Sequence, residues 1–402
     1  MARLLARSTR GDAPLERRVR AIVDAVRRGG DRALAAFARK FDGARAPLEV
    51  SAAEMREAAA LVDPAVRQAL RTAARNIARV AARQIPRHVD LVVAPGVSVE
   101  QRVEPLDRVG CYVPGGRFPL PSSLLMTAVP ARIAGVRETV VVCPRPEPVV
   151  MAAAMEAGIT KLFRVGGAHA IAALAYGTRA VPRVDKIVGP GNRYVAAAKS
   201  LVAADGQCAI DFYAGPTEIV IVAAGGRPAW VAADLVAQAE HDPDARSILI
   251  TWSSSFARRV AGAIARAAAA NRIAQQSLAR NGAIVVVRSA DEAIALANEI
   301  APEHLVIERE ELARRPLRAG AVFIGPYTAQ AAGDYATGSN HVLPTAGAAR
   351  YRGGLSAADF MRVMAVQRVT RAGLARLAPA IVPLARAEGL EAHAASIEVR
   401  LT

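Results

Sequence analysis

From about residue 108 onward the chain repeats one unit, a short apolar run, a glycine turn and an alanine-rich stretch at helical spacing. No other feature limits the fold as much, because strands alternating with helices imply a parallel sheet covered on both faces. Val109-Gly-Cys-Tyr-Val-Pro-Gly-Gly116 runs from a strand into a turn, and Ser122 with Ser123 can open a helix to about 134. Thr139–Cys143 reads as the next buried strand. Lys161–His169 and Asp185–Asn192 each repeat the order strand, glycine pair, polar residue, helix.

A second run begins at Glu218–Ala223 and continues with a helix over 228–240, a strand at Ser247–Thr251, a helix over 255–270, a strand at Ala283–Val287 and a helix over 289–300. Leu305–Glu308 and Ala321–Ile324 complete it, and the break between the runs falls near Ala214-Gly-Pro-Thr217. We therefore expect two Rossmann-like parallel-sheet α/β domains without a GxGxxG fingerprint, plus a small helical C-terminal segment. Residues 1–108 and 219–355 are expected to form one domain with the N-terminal helices, 109–218 an inserted second one, and 356–402 a helical tail. Helices are expected over 14–43, interrupted at Gly29-Gly30, and over 52–84. A hairpin is expected at Leu91–Val99 around its Pro-Gly turn, and a short terminal strand at Ile397–Leu401.

Composition removes several classes of function. The net charge of +16 would suit a nucleic-acid partner, but four lysines stand against 48 arginines, scattered over all 402 residues. With 4% aromatic residues there is little to stack bases on. The three cysteines, Cys111, Cys143 and Cys208, lie among apolar neighbours without a CxxC, which suits a reducing cytoplasm and argues against a thiolate metal site. No signal-like apolar run opens the chain and none long enough to span a bilayer follows. The expectation is a soluble cytoplasmic protein with no nucleic-acid or membrane partner.

Chemistry concentrates in Gly333-Asp-Tyr-Ala-Thr-Gly-Ser-Asn-His-Val-Leu-Pro-Thr345, where glycines and a proline forbid a long helix around a carboxylate, an imidazole and an amide. It follows an apolar strand pattern, so its polar groups are expected to emerge from the end of a sheet, where α/β proteins place ligands. Of six histidines, five sit in turns or element ends. Gln238 and His241 are three apart and could share a metal on one helical face, although a histidine at a helix end also answers the helix dipole. Glu303 and His304 set an acid beside an imidazole, suited to proton relay or equally to a solvated loop. Glu388 and His393 are five apart and need a break near Gly389 to come together. The glycine turns could offer helix N-termini to an anion, but their spacing fits plain strand-to-helix connections better.

Taken together and in order, Gly-Cys-Tyr-Val-Pro-Gly-Gly, Val-Asp-Lys-Ile-Val-Gly-Pro-Gly-Asn, Ala-Gly-Pro-Thr-Glu, Gln-Ala-Glu-His, Ala-Pro-Glu-His-Leu, the 333–345 loop and the terminal Glu388 and His393 resemble the histidinol dehydrogenase family over essentially the whole chain. The resemblance implies zinc-dependent oxidation of L-histidinol through L-histidinal to L-histidine with two NAD⁺. It implies that Gln238, His241, Asp334 and His393 bind one Zn²⁺ per subunit, that His304 is the general base and that Glu303 activates water. Thr217, His341 and Glu388 match substrate positions beside the metal ligands and His304, and Tyr112, His169 and Asn192 match NAD contacts. It further implies a homodimer with shared active sites, His393 completing the partner's.

The chain departs from the family at His169, where glutamine is usual, at Phe212 and Tyr213, where many members have Met-Pro, and at Thr217, where serine is common. It is also shorter at both ends, with the N-terminal arm trimmed. These changes leave open a related zinc- and NAD-dependent alcohol dehydrogenase acting on another amino alcohol or polyol, and, from a different class, a non-catalytic basic protein on the same scaffold.

Overall fold

The computed structural model describes residues 12–402 except 117, 213 and 214. The N-terminal arm and Tyr213 therefore lie outside the described residues. The chain opens with α1 (Ala13–Phe37), capped by Asp12 and bent at Gly30, whose φ of 53° and ψ of −136° interrupt the helix where the glycine pair predicts. A π-helical turn, Ala38–Asp42, follows. Then come β1 (Glu49–Val50), α2 (Ala52–Ala60) and α3 (Pro64–Ala81). The single helix expected over 52–84 is two, because Asp63 caps a new helix whose first residue, Pro64, cannot donate to a preceding turn.

The order continues β2 (Val89–Ala94), β3 (Val97–Pro105), β4 (Arg108–Tyr112), α4 (Pro121–Ile133), β5 (Glu138–Val142), α5 (Pro148–Ala157), β6 (Lys161–Phe163), α6 (Gly167–Tyr176), β7 (Lys186–Val188), α7 (Arg193–Ala204) and β8 (Ala209–Ile210). The second run is β9 (Glu218–Val222), α8 (Pro228–Ala239), β10 (Arg246–Thr251), α9 (Ser254–Ala267), α10 (Arg272–Asn281), β11 (Ala283–Val286), α11 (Ala290–Ile300), β12 (His304–Ile307), α12 (Glu310–Ala313), β13 (Ala321–Ile324) and α13 (Gln330–Tyr335). The chain closes with β14 (Met361–Val369), α14 (Arg371–Ala387) and α15 (Glu391–Glu398). Helix α10 escaped the sequence reading.

Two parallel sheets carry the fold, as the repeated unit predicts. The first has the order β1-β6-β5-β4-β7-β8 with only β1 antiparallel, and the second is β11-β10-β9-β12-β13, parallel throughout. In each, the first strand of the run, β4 or β9, sits between its successors, so strand order reverses beside it. Every residue of β9 is buried, which explains why Glu218-Ile-Val-Ile-Val222 reads as a continuous apolar run after its first residue.

The N-terminal helices pack on the first sheet. Val19, Val23 and Val26 of α1 share a core with Phe163 and Leu174, while Met55 of α2 and Ile77 of α3 share one with Leu124 and Val141. Packing thus groups these helices with 109–218, whereas the expected division grouped 1–108 with 219–355.

The C-terminal expectation also changes. Residues 361–369 form a strand that pairs with β3 in antiparallel register, Val363 opposite Val103 and Val366 opposite Glu100, giving a three-stranded sheet β14-β3-β2. Six of its nine residues are Met, Ala, Gln and Arg, which favour helix, three are valines, which favour strand, and pairing with a partner some 260 positions away decides for the strand. The strand expected at Ile397–Leu401 is instead the end of α15 and a turn, with no neighbouring strand to complete its hydrogen bonds. The break at Gly389 is present: its φ is 75°, between α14 and α15. No described helix is long and apolar enough to cross a membrane.

Candidate active site

The loop around 333–345 does not project from the carboxyl end of its sheet. Helix α13 turns the chain back, and Leu343 and Pro344 pack within 3.2 Å of where a Cβ on Gly320 would stand, at the amino end of β13. The expected position is corrected accordingly: Thr217, Glu303 and His304 also lie at the amino ends of β9 and β12. The loop meets the other lobe as well. Asn340 Nδ2 donates to the Met126 carbonyl at 2.6 Å, and Gly215 N donates to Thr345 Oγ1. The cluster therefore lies in the seam between the two sheets, facing the first turn of α4.

A hydrogen-bonded chain organises its centre. Gln238 Nε2 donates to Thr217 Oγ1, and that hydroxyl donates to Glu303 Oε2, which also accepts from Glu218 N at 2.9 Å. Thr217 is thus engaged on both sides by protein. Because the chain fixes the amide of Gln238 by its nitrogen, Oε1 faces away, fully buried and without a hydrogen-bond partner.

Burial pushes the Glu303 carboxyl up to about 7; the bonds from Thr217 and Glu218 oppose the rise, Asp334 adds to it and His241 opposes it. His304 is buried too, and desolvation pulls its imidazole below the usual value. Its Nδ1 donates to the Glu218 carbonyl at 3.1 Å, which leaves Nε2 as the basic nitrogen. Nε2 is buried, has no hydrogen-bond partner, and lies 3.9 Å from Asp334 Oδ1.

Asp334 is held by Gln330, whose Nε2 donates to Oδ2 at 2.7 Å. His341 donates from Nδ1 to the Asp334 carbonyl at 2.9 Å, and its Nε2 meets Ser123 Oγ at 3.3 Å. Desolvation lowers its pKa against the pull of Asp334. Ser123 and Gln330 join the site without having drawn notice in the sequence, the first because it read as a helix opener and the second because nothing local marks it.

Gln238 lies in the last turn of α8 and His241 just past its end, with His241 N donating to the Gln238 carbonyl at 3.4 Å. Helix α8 ends at Ala239, so His241 sits exposed in the turn beyond it, close enough to act on both Glu303 and His341. Glu388 and His393 stay away from the cluster. Both are exposed on the α14–α15 hairpin, with no described hydrogen bond or ion pair to it. Among the described residues of one chain, no three His, Cys, Asp or Glu side chains gather into a metal site.

Tyr112, His169 and Asn192 do come together, on a cavity of about 830 Å³ at the carboxyl end of the first sheet, beside the point where strand order reverses. The helix N-termini there are already engaged. Gly166 N donates to Asp42 Oδ2 and Gly167 N to the Tyr112 hydroxyl at α6, while Asn192 Oδ1 caps Tyr194 and Val195 at α7. Positive charge comes instead from Arg18, Lys40 and Arg145 on the wall. Phe212 is buried under the Arg352 guanidinium, 4.5 Å from its ring centre.

Comparison with known proteins follows the same line. The sequence profile described as histidinol dehydrogenase matches residues 5–401. A histidinol dehydrogenase of Syntrophotalea carbinolica is 46% identical over 98% of this chain and 94% of its own length. One from Geobacter sulfurreducens is 46% identical over 100% and 96%. The crystal structure of histidinol dehydrogenase from Elizabethkingia anophelis superimposes with a TM-score of 0.94 at 34% identity, covering 99% of this chain and 95% of that one.

Proposed function

We propose, since the chain belongs to the histidinol dehydrogenase family and is an NAD-dependent oxidoreductase that oxidises histidinol in histidine biosynthesis, that Glu303 and His304 divide the proton transfers of its two oxidation steps. The carrying observation is the bare, buried Nε2 of His304, a residue whose Nδ1 lies 3.6 Å from Glu303 Oε2. In the first oxidation Nε2 takes the proton of the substrate hydroxyl as hydride passes from the same carbon to NAD⁺, giving L-histidinal. In the second, the Glu303 carboxylate takes a proton from water adding to the aldehyde while His304 returns its proton to the carbonyl oxygen. The neutral His304 then takes a hydroxyl proton from the hydrate as the second hydride passes to a second NAD⁺. A carboxyl with a pKa of about 7 suits that work near neutrality.

The residues fit a zinc ion. Gln238 Oε1 is a buried acceptor with nothing to accept from, and Asp334 Oδ1 is left when Oδ2 is held by Gln330. Amide oxygen, carboxylate and imidazole make a donor set suited to Zn²⁺, with His241 and His393 supplying the nitrogens. Bound zinc would supply a Lewis acid for the substrate's amino alcohol. His341, fixed at both ring nitrogens, walls the substrate, and Glu388 holds the imidazole of histidinol. Tyr112, His169 and Asn192 receive NAD⁺ in the 830 Å³ cavity, at the end of the first sheet that faces the cluster.

His393 and Glu388 would enter from a second copy of the chain. The exposed apolar residues of the three-stranded sheet and the hairpin, among them Leu91, Val92, Val363 and Leu384, support a homodimer that covers them. The test is NADH formation by the purified zinc-loaded protein with L-histidinol, beside Glu388→Ala. We expect turnover to histidine and a raised KM for histidinol in the variant. Turnover of another alcohol but none of histidinol would overturn the assignment.

A further inference from the structure

We infer that Asp42 is a positioning residue that fixes His169 as a hydrogen-bond acceptor toward the bound dinucleotide. The inference rests on the cavity taking NAD⁺, as proposed above. Asp42 is the last residue of the π-helical turn Ala38–Asp42, ended by Gly43 at a φ of 69°. The extra residue in that turn carries its carboxylate into the wall of the cavity. There one oxygen, Oδ2, accepts twice, from Gly166 N at 2.9 Å and from His169 Nε2 at 2.8 Å. Both side chains are shut from solvent, His169 at 2% and Asp42 at 8% exposure, with the stacked rings of Phe37 and Phe41 about 6 Å from the imidazole.

A carboxylate can only accept, so the bond to Asp42 places the proton of a neutral imidazole on Nε2. The second nitrogen, Nδ1, is then an acceptor, and no described protein group donates to it. It lies along the Cα of Gly167, 3.4 Å from where a Cβ would stand, and Gly167 itself lines the cavity. A dinucleotide offers ribose hydroxyls and a carboxamide, all of which can donate. The pairing makes His169 an acceptor of one orientation, whereas a glutamine there would present both an acceptor and a donor whatever its neighbour.

The consequence is a coupling between two positions 127 apart. In Asp42→Asn the amide can donate to Nε2, the proton moves to Nδ1, and the acceptor facing the dinucleotide is lost. Losing one such bond weakens NAD⁺ binding by roughly tenfold. In a His169→Gln background the same change has no tautomer to alter and costs less than about threefold. The experiment is calorimetric titration of NAD⁺ into the zinc-loaded protein and the variants Asp42→Asn, His169→Gln and the double variant. Alongside it run thermal melting and the KM for NAD⁺, which is expected to rise in step with the dissociation constant.

An equal loss from Asp42→Asn in both backgrounds would overturn the inference, because Asp42 would then act only through Gly166 N. A wild-type protein that bound no NAD⁺ would instead refute the cavity assignment. Should Asp42→Asn fail to fold, ¹⁵N-histidine spectra of the wild type decide, with the His169 signals identified by their absence from His169→Gln. The expected pattern is the Nε2-protonated tautomer, with Nδ1 shifting on NAD⁺ addition; the opposite tautomer, or an unmoved Nδ1, refutes the inference.

Discussion

Thr217→Val isolates the small hydroxyl on which the site depends. Valine keeps the shape of threonine and removes one oxygen, so little packing is lost. That oxygen accepts from Gln238 Nε2 and donates to Glu303 Oε2, and without it a buried amide donor is stranded and a carboxylate keeps only its bond from Glu218 N. A stranded buried donor costs about 1–3 kcal/mol and a hydrogen bond to a charged group about 1.5–3 kcal/mol, so the loss in stability is on the order of 3–6 kcal/mol. Two functional effects follow. The Gln238 amide is free to rotate, which misdirects Oε1 and weakens zinc binding by roughly 10–100-fold, the usual cost of losing a group that orients a metal ligand.

Glu303 also loses a bond that favours its ionised form, so its pKa moves above about 7. Since the proposed water activation uses the Glu303 carboxylate, activity on L-histidinal is expected to fall near pH 7 and recover at higher pH. The assay is zinc competition against a chelator, together with the pH profile of histidinal oxidation, for Thr217→Val and for Thr217→Ser, which keeps the hydroxyl. Wild-type zinc affinity and an unmoved acid limb in the valine variant would refute the reasoning. So would serine behaving like valine.

Three further outcomes are expected. Mixing unfolded-and-refolded His241→Ala and His393→Ala proteins restores activity that neither has alone, because one site of each mixed dimer escapes both changes; a site complete within one chain would restore nothing. Lys199→Met leaves Asp211 buried without its ammonium partner and costs about 3–5 kcal/mol in denaturant unfolding, much less when combined with Asp211→Asn. Glu100 accepts from Arg102 and Arg368, bonds that hold its pKa down at about 2, and the one from Arg368 ties β3 to β14. Their stabilisation is full above the ordinary carboxylate value near 4.5 and is lost as pH falls toward 2, so the stability difference between wild type and Glu100→Gln shrinks across that interval in acid titrations.

Read alone, the sequence determined the local order of most elements. Burial has a period, and continuous apolar runs such as Ile219–Val222 between alanine-rich helical stretches admit little but parallel sheets covered on both faces. Gly30 and Gly389 marked real breaks because only a residue without a Cβ takes up their positive φ readily. The chemically distinctive residues Glu303, His304, Asp334 and His341 were visible by type and context. Tertiary structure alone decided what those residues meet. It made a strand of 361–369 by supplying β3, attached the N-terminal helices to the first sheet, and placed the 333–345 loop at the amino end of the second.

It also gave Thr217 two partners 21 and 86 positions away, so that its hydroxyl orients Gln238 and Glu303. The tautomers of His304 and His169 belong to the same class. Each is set by one acceptor, the Glu218 carbonyl or the Asp42 carboxylate, more than 80 positions distant. A sequence records which side chains will be buried, since that depends on neighbours along the chain. Which hydrogen-bonding groups are then forced together depends on how separately buried faces pack, and no local pattern encodes it.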